Sequence, residues 1–438
     1  MKDKFNKKIF NYTNYFALAC ITPIGYFAPL GEWLLISFLS ISTLIFILID
    51  KTTISYTNLL IFIISILTIL ISFFWSISPQ RTSEVMGPIS GIIIAIFITL
   101  NITSNNKVIN IENLIGIPLI FTSICILIDV VFNAEIRSNL ATLVGDEPTS
   151  KSANFSRGII ILTMIMPLSV AMYINKGKKF LGLGVLLLIA IIVMLGPNHS
   201  SKIALLCALL SSIIIYIFGP RSFMFFGIIS AIFMLSLPII SIKILPKLSH
   251  IKINYENTKP CTPERLASIH VERIPGTNKC VKNMEWQETS MGGSIIHRLL
   301  VWEFVGNEIY KKPLLGHGAG TSRLIGQNIV LNVPHTNLDI KGGIPLHPHN
   351  NFLEIWLELG LLGISVITLL WIKIIKYGIN IRKESYIMGT GICTSIVTIF
   401  VMSNISFGVF QAWWMSSIAL IFLVILQSFS LTKTKLIG

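Results

Sequence analysis

The sequence predicts an all-α integral membrane protein with about 12 transmembrane helices. The chain has 438 residues, of which 53% are hydrophobic and only 12% are charged, and this is too apolar for a soluble globular domain. It also contains many apolar runs that approach the roughly 20 residues needed to cross a bilayer. We expect these runs to be helices because a helix satisfies its backbone hydrogen bonds internally.

Apolar segments predict the individual spans, and the longest polar stretch separates the ninth span from the tenth. The predicted spans are Tyr15–Leu30, Trp33–Ile49, Asn58–Ile77, Gly87–Ile102, Asn113–Phe132, Gly158–Ile174, Phe180–Gly196, Lys202–Phe218, Ser222–Leu245, Asn350–Ile375, Tyr386–Phe407 and Val409–Phe429. We expect three parts: transmembrane helices over residues 1–245, a loop domain over residues 246–349, and the last three helices over residues 350–438.

The distribution of Lys and Arg predicts the orientation in the membrane. These residues are concentrated at both termini and in the short loops of one side, which the positive-inside rule assigns to the cytoplasm. The long segment 246–349 then lies on the outside, since long loops are translocated regardless of their charge. The first apolar run is expected to be a retained helix and not a cleaved signal peptide.

The cysteines predict one disulfide. Cys261 and Cys280 both lie in the long external segment, where an oxidising compartment favours pairing. The other four lie inside predicted spans and are expected to be packing residues: Cys20, Cys125, Cys207 and Cys393.

The stretch HPHNNFLEIWLELGLLG, residues 347–363, places two acids near the start of the tenth span. Pro348 and Asn350 favour a helix start. Asn350, Glu354 and Glu358 are spaced by four and share one helix face. We expect this face to look into protein or water, because an acid that faces lipid is costly.

The histidines at the start of this stretch are candidate bases, because a neutral imidazole accepts a proton near physiological pH. Pro348 fixes its own φ, so we expect His347 and His349 to point in different directions. Two alternatives are open. The histidines can be ordinary solvated residues of the interface, or they can form half a metal site with Glu354 as the third ligand.

The same stretch resembles the signature of bacterial O-antigen ligases, which is a His, then Asn, Ser or Gln, nine residues, a Gly, two residues and a small residue or Tyr. His349, Asn350, Gly360 and Gly363 fill this signature without a gap. Upstream, HRLLVWEFVGNEIYKKPLLGHGAG is similar to a loop of the wider O-antigen ligase and polymerase superfamily. It has an Arg, a Trp four residues later, and a glycine-rich turn.

The resemblance implies a glycosyltransferase that moves a glycan from undecaprenyl pyrophosphate to the lipid A–core oligosaccharide. The reaction would occur at the periplasmic face of the bacterial inner membrane, with inversion at the anomeric carbon and with no metal or other cofactor. The partners would be these two substrates and membrane lipids, with no nucleic acid. One departure from the family is Lys202, where an Arg is usual; Lys keeps the charge but loses the planar fork.

Glycan transfer from a pyrophosphate needs cations for the leaving group and a base for the acceptor hydroxyl. We assign His349 as the base and Arg298 as the main cation. The expected substrate-binding residues are Lys202, Arg157, Arg81, His347, Asn350, Glu354 and His317.

Several of these residues have a simpler structural interpretation. Arg298 can lie on the polar face of an interfacial helix, where Trp302 would be an interface anchor. Lys202 can extend from its span to the interface, and Arg157 and Arg81 can be ordinary loop charges.

Other functions are also open. An O-antigen polymerase or a protein oligosaccharyltransferase of the same superfamily would use the same donor and differ in the acceptor. A transporter could use the intramembrane acids, but the sequence lacks paired broken helices in two matching halves.

Overall fold

The computed structural model describes residues 2–47, 56–102, 108, 110–143, 152–246, 259–260, 271–273, 279–282, 291–332, 339–344 and 346–435. Its helices are α1 (Lys2–Phe27), α2 (Glu32–Ile47), α3 (Tyr56–Ile71), α4 (Pro79–Ile102), α5 (Ile111–Val131), α6 (Glu135–Leu143), α7 (Ser152–Asn175), α8 (Lys179–Leu195), α9 (His199–Phe218), α10 (Pro220–Lys243), α11 (Met291–Lys311), α12 (Asn351–Glu384), α13 (Tyr386–Ile405) and α14 (Ala412–Lys435).

Two small antiparallel sheets lie between α10 and α12. The first has the strand order β1–β3–β2 and consists of β1 (Lys259–Pro260), β2 (Val271–Arg273) and β3 (Lys279–Lys282). The second pairs β4 (Val330–Asn332) with β5 (Asp339–Lys341).

The predicted fold class, a mostly helical integral membrane protein, is confirmed. In the part of the chain that the structure describes, nine helices are long and apolar enough to cross a membrane, and two shorter apolar helices correspond to α2 and α8. Each predicted span falls on one helix among α1–α5, α7–α10 and α12–α14. The number of membrane crossings stays a prediction.

Burial separates the core helices from the outer ones. The apolar windows of α7 and α13 are 78% and 83% buried, whereas that of α3 is only 11% buried. Small residues allow α7 and α13 to approach closely: a Cβ at Gly391 would clash with the methyl group of Ala171. These two helices therefore form the centre of the bundle, and α3 lies at its edge.

The predicted span Asn350–Ile375 falls on α12, but α12 is broken at Gly360, which the sequence did not predict. Gly360 has φ +61° and ψ −155°, a backbone conformation that residues other than glycine rarely adopt. A Cβ at this position would also lie 2.5 Å from the carbonyl of Leu314. The break divides α12 into a short arm, residues 351–359, and a long helix, residues 361–384.

A glycine-rich loop, KPLLGHGAG of residues 312–320, packs into this break. The amide of Leu361 donates to the carbonyl of Pro313 at 2.8 Å, and the amide of His317 donates to the carbonyl of Leu357 at 2.9 Å. A broken helix frees backbone groups that are costly to bury without partners. The glycine loop supplies these partners.

The connection between α3 and α4, together with the first turn of α4, binds the other side of the glycine loop. The amide of Ile77 donates to the carbonyl of His317 at 2.9 Å, and the hydroxyl of Thr82 donates to the carbonyl of Ala319 at 2.9 Å. The glycine loop is therefore fixed between α12 and α4.

The cysteine predictions are tested only in part. The four cysteines that were expected inside spans lie in α1, α5, α9 and α13 as free thiols. Cys261 and the side chain of Cys280 lie outside the described residues, so the disulfide stays a prediction. Much of segment 246–349 also lies outside them, so the division of the chain into three parts stays a prediction as well.

We predict that Gly360→Ala lowers the free energy of unfolding by at least about 2 kcal/mol, because the new methyl group meets both an unfavourable φ and the glycine loop. Chemical denaturation in detergent measures the change. Gly184→Ala in α8 is the control, since a Cβ there meets nothing within 4 Å and alanine favours a helix. Equal stability of the two variants would contradict the account of the break.

Candidate active site

The two histidines form a compact turn at the start of the arm. The ring centroids of His347 and His349 are 4.3 Å apart, and the rings are tilted by 41°. The expectation that Pro348 points them in different directions was therefore wrong. His349 has φ +57°, which lies in the left-handed region that residues other than glycine rarely adopt. Such strain persists only where the surroundings fix it, as at functional sites.

Two hydrogen-bonding groups fix this turn on either side of His349. The indole Nε1 of Trp302 donates to the carbonyl of Pro348 at 2.7 Å. The side-chain oxygen of Asn350 accepts from the amides of Phe352 and Leu353 at 3.0 and 3.1 Å, which confirms the predicted helix start. Trp302 is therefore more than an interface anchor, because it holds the strained turn.

The side chain of Asn350 is engaged in hydrogen bonds within the protein, which leaves it fewer groups to bind substrate than the sequence suggested. Its oxygen caps the arm, and its Nδ2 donates to Oδ1 of Asn404 at 3.3 Å. A direct contact between Asn350 and substrate stays a prediction, and the described contacts give it a structural role.

His349 has a defined protonation pattern. Its Nδ1 lies 2.6 Å from the carbonyl oxygen of Ser406, and a carbonyl can only accept. Nδ1 therefore carries the hydrogen, and Nε2 has a free lone pair. Burial lowers the pKa of His349 well below its usual value, and the nearby His347 and Arg298 lower it further. His349 is thus neutral at pH 7 and able to accept a proton.

His347 differs because a neighbour occupies its lone pair. The indole of Trp413 donates to Oε1 of Gln411 at 2.8 Å, which orients the amide so that its nitrogen faces His347. This nitrogen lies 3.4 Å from Nε2 of His347 and must be the donor. Burial, with smaller effects of Arg323 and Arg298, lowers the pKa of His347 to about 4. His347 is therefore less suited than His349 to act as a base.

One predicted cation, Arg298, lies near this turn, and a second, Lys202, lies near His199, which is also close to Arg298. Arg298 of α11 is close enough to His347 and His349 for its charge to lower the pKa of both. Arg298 and Lys202, which lies in the first turn of α9, both act electrostatically on His199. The structure therefore brings the start of α9, α11 and the histidine turn together.

Arg157 lies within α7 and is not an ordinary loop charge. Its guanidinium is 5.1 Å from the ring centroid of Trp413, in a cation–π arrangement. Through Trp413 and Gln411, Arg157 is connected to His347.

A cavity of about 320 Å³ lies beside His347. Arg81 and Arg323 line it together with Glu354 and Glu358. Arg81 also pairs with Glu84, with 2.8 Å between Nη1 and Oε2. The cavity is thus polar and of mixed charge.

The two acids of the arm face protein, as predicted. Glu354 accepts a hydrogen bond from the amide of Val409, and Glu358 accepts from the amides of Gly320 and, at 3.0 Å, Ser322. Glu354 and Glu358 are 4% and 1% exposed. They hold two loops against the arm, and backbone amides supply the partners that a buried carboxylate requires.

Residues 185–368 match the family described as O-antigen ligase. The resemblance to this family covers less than half of the chain. Three curated relatives are a putative polysaccharide ligase of Rickettsia felis, with 36% identity over 124 residues, one of Rickettsia prowazekii, with 36% over 126, and one of Rickettsia bellii, with 35% over 128. Each alignment covers 28% of this chain and 30% of the length of the relative.

The family segment coincides with the histidine site. The matched residues 185–368 include Lys202, Arg298, the glycine loop, the histidine turn and the break at Gly360. Arg81 and Arg157 lie outside this segment.

His317 contacts the backbone of α11 and lies in the interior of the protein. Its ring Nε2 lies 3.1 Å from the carbonyl of Glu308, and the side chain is 6% exposed. The described contacts give no support to substrate binding by His317, which stays a prediction.

The alternative of a metal site has no support from the described geometry. Within the described ranges, no three His, Cys, Asp or Glu side chains are arranged to hold a metal ion. The groups that would coordinate a metal are engaged elsewhere: His347 with Gln411, His349 with Ser406 and Glu354 with Val409.

Sequence reasoning missed several members of the site. Arg323, Gln411, Trp413 and His199 were not singled out, since each is distant in sequence from the histidine turn. Two local signals were present: Arg323 closely follows the glycine loop, and His199 lies three residues before Lys202.

We predict that the protein loses stability below about pH 6.5, because unfolded histidine binds a proton there and folded His347, with a pKa of about 4, does not. Stability therefore falls as the pH decreases from 6.5 toward 4. In His347→Asn, the loss of unfolding free energy between about pH 7 and about pH 5 should be about 2 kcal/mol smaller. Denaturation at the two pH values measures this difference, and an unchanged loss would contradict a neutral His347.

Proposed function

We propose that this protein is an O-antigen ligase, which transfers a glycan from undecaprenyl pyrophosphate to the lipid A–core oligosaccharide. The match of residues 185–368 to the O-antigen ligase family and the polysaccharide ligase names of the relatives support this class of reaction. The observation that carries the mechanism is the tautomer of His349. Its Nδ1 is held by the carbonyl of Ser406, which leaves Nε2 as a proton acceptor beside Arg298.

In the proposed reaction, Nε2 of His349 takes the proton from an acceptor hydroxyl. The hydroxyl oxygen then attacks the anomeric carbon of the donor glycan from the face opposite the pyrophosphate. A new glycosidic bond forms, the bond to the pyrophosphate oxygen breaks, and undecaprenyl pyrophosphate leaves with the electron pair. One displacement of this kind inverts the configuration, and the imidazolium later releases its proton to water.

The basicity of His349 is expected to rise when the donor binds. In the free protein, burial and the charge of Arg298 oppose a second positive charge on the ring. The pyrophosphate brings negative charge to the same cations, which removes part of this opposition and stabilises the imidazolium. The base is therefore strongest when the donor is in place.

The proposed pyrophosphate contacts are Arg298, Lys202 and Arg157. Charge grows on the leaving group as the bond breaks, and fixed cations in a partly buried site stabilise this charge. The family segment includes Arg298 and Lys202, and Arg157 is connected to the site through Trp413.

The 320 Å³ cavity is the proposed place of the acceptor sugar. Its mixed lining of arginine, glutamate and Gln411 offers both donors and acceptors, which suits sugar hydroxyls better than a second pyrophosphate. In this role Arg81 and Glu354 would orient the acceptor and not the donor.

The proposed setting is the bacterial inner membrane, with the histidine site at the periplasmic face and both termini in the cytoplasm. The concentration of Lys and Arg on one side supports this orientation. The proposed chemistry uses no metal, because acid–base groups and cations supply both of the required functions.

We predict that His349→Ala lowers ligation at least about 100-fold, as loss of a general base typically does, and that His347→Ala lowers it about tenfold through the orientation of the turn. Purified protein, a lipid-linked glycan and lipid A–core acceptor are used, with EDTA present. Gln411→Ala should also lower ligation, because it removes both the partner of the His347 ring and part of the proposed acceptor cavity.

Equal losses in both histidine variants, together with inhibition of the wild type by EDTA, would overturn the metal-free mechanism. The same assay separates the superfamily functions. Transfer to the core acceptor supports a ligase, whereas growth of the donor glycan without that acceptor would indicate a polymerase.

We also predict that Arg298→Lys loses much of the activity and that Arg298→Ala loses more, because a point charge cannot replace a planar fork on a pyrophosphate. Lys202→Arg is the control, because it makes the opposite exchange of a point charge for a planar fork. It should retain or increase activity. Thermal unfolding checks that each variant is folded. Full activity of Arg298→Ala would remove this residue from the site.

A further inference from the structure

A second cavity, of about 620 Å³, lies between α3, α4, α12 and α14. Its walls are mostly hydrocarbon, and Phe62 and Phe97 stack there with 4.0 Å between their ring centroids. Lys373 lines it and lies thirteen residues beyond Gly360, or about 20 Å along the helix. The cavity is therefore separate from the histidine site.

Lys373 has neutral partners. Its ammonium group donates to Oδ1 of Asn58 and, at 3.4 Å, to the hydroxyl of Thr57. Asn58 in turn donates to Oδ1 of Asn101 at 2.6 Å. None of the ion pairs found among the described residues includes Lys373. The charge is therefore held on the wall of an apolar cavity without a carboxylate from the described part of the chain.

The neighbourhood of Lys373 is positive for a second reason. Thr57 and Asn58 belong to the first turn of α3, which begins at Tyr56. The first turn of a helix carries partial positive charge and exposes backbone N–H groups. A cation and a positive helix end thus meet in apolar surroundings, which is costly unless an anion joins them.

We propose that this cavity binds an anionic glycerophospholipid. The lipid phosphate would lie against Lys373 and the first turn of α3, and an acyl chain would lie along the hydrocarbon walls. The apolar lining favours a lipid over free phosphate. The outer wall is α3, whose apolar window is only 11% buried, so the bound lipid would link this peripheral helix to α12.

The test uses purified protein in nanodiscs of phosphatidylcholine with increasing phosphatidylglycerol, and native mass spectrometry measures the bound lipid. Lys373→Gln should bind phosphatidylglycerol at least about tenfold more weakly, or about 1.4 kcal/mol. Lys373→Arg should retain binding because it keeps the charge. Lys376→Gln is the matched control, since it removes an exposed charge one turn further along the same helix and should bind as the wild type does.

The wild type provides a second measurement that does not depend on a folded variant. A phosphatidylglycerol with a photoreactive headgroup should label the first turn of α3 and the region around Lys373. Labelling only elsewhere, or equal binding by Lys373→Gln and the wild type, would overturn the proposal. Displacement of the probe by inorganic phosphate or by a polyprenyl phosphate, but not by phosphatidylglycerol, would assign the cavity to another ligand and would also overturn it.

Discussion

The hydrogen bonds between the glycine loop and the break at Gly360 are the constraint on which the site depends. A helix can stop inside an apolar bundle only if other groups satisfy its freed amides and carbonyls. The glycine loop does this at Pro313 and His317, and its own glycines allow the close backbone approach. Without this contact, residues 351–384 would continue as one straight helix, and the arm would not present its histidine turn and acids to the neighbouring loops.

The buried acids of the arm transmit this constraint to the histidines. Glu354 holds the amide of Val409, which lies in the connection between α13 and α14. The same connection supplies the carbonyl of Ser406 to His349 and the amide of Gln411 to His347. The carboxylate of Glu354 thus positions the segment that supplies the hydrogen-bond partners of both histidine rings. The two glutamates act mainly as anchors for the backbone, and this explains their presence in an apolar helix.

The sequence predicted those features that depend on local pattern. Apolar runs predicted the helices, Asn350 predicted the start of the arm, and the spacing of Glu354 and Glu358 predicted a face toward protein. The break at Gly360 was missed because a single glycine in an apolar run is tolerated in a helix, and neither its positive φ nor its contact with Leu314 follows from local sequence. The roles of Trp302 and Gln411 were missed because both act through contacts between segments that are distant in sequence.

Hydrogen–deuterium exchange of the wild type in nanodiscs tests the central claim most directly. The amides of His317 and Leu361 lie outside regular helical hydrogen bonding but donate to carbonyls across the break. Burial in such bonds predicts slow exchange, comparable to that of the core helix α13. Exchange of these two amides as fast as in an exposed loop, with α13 still protected, would contradict the account that the glycine loop closes the break and thereby orders the histidine turn.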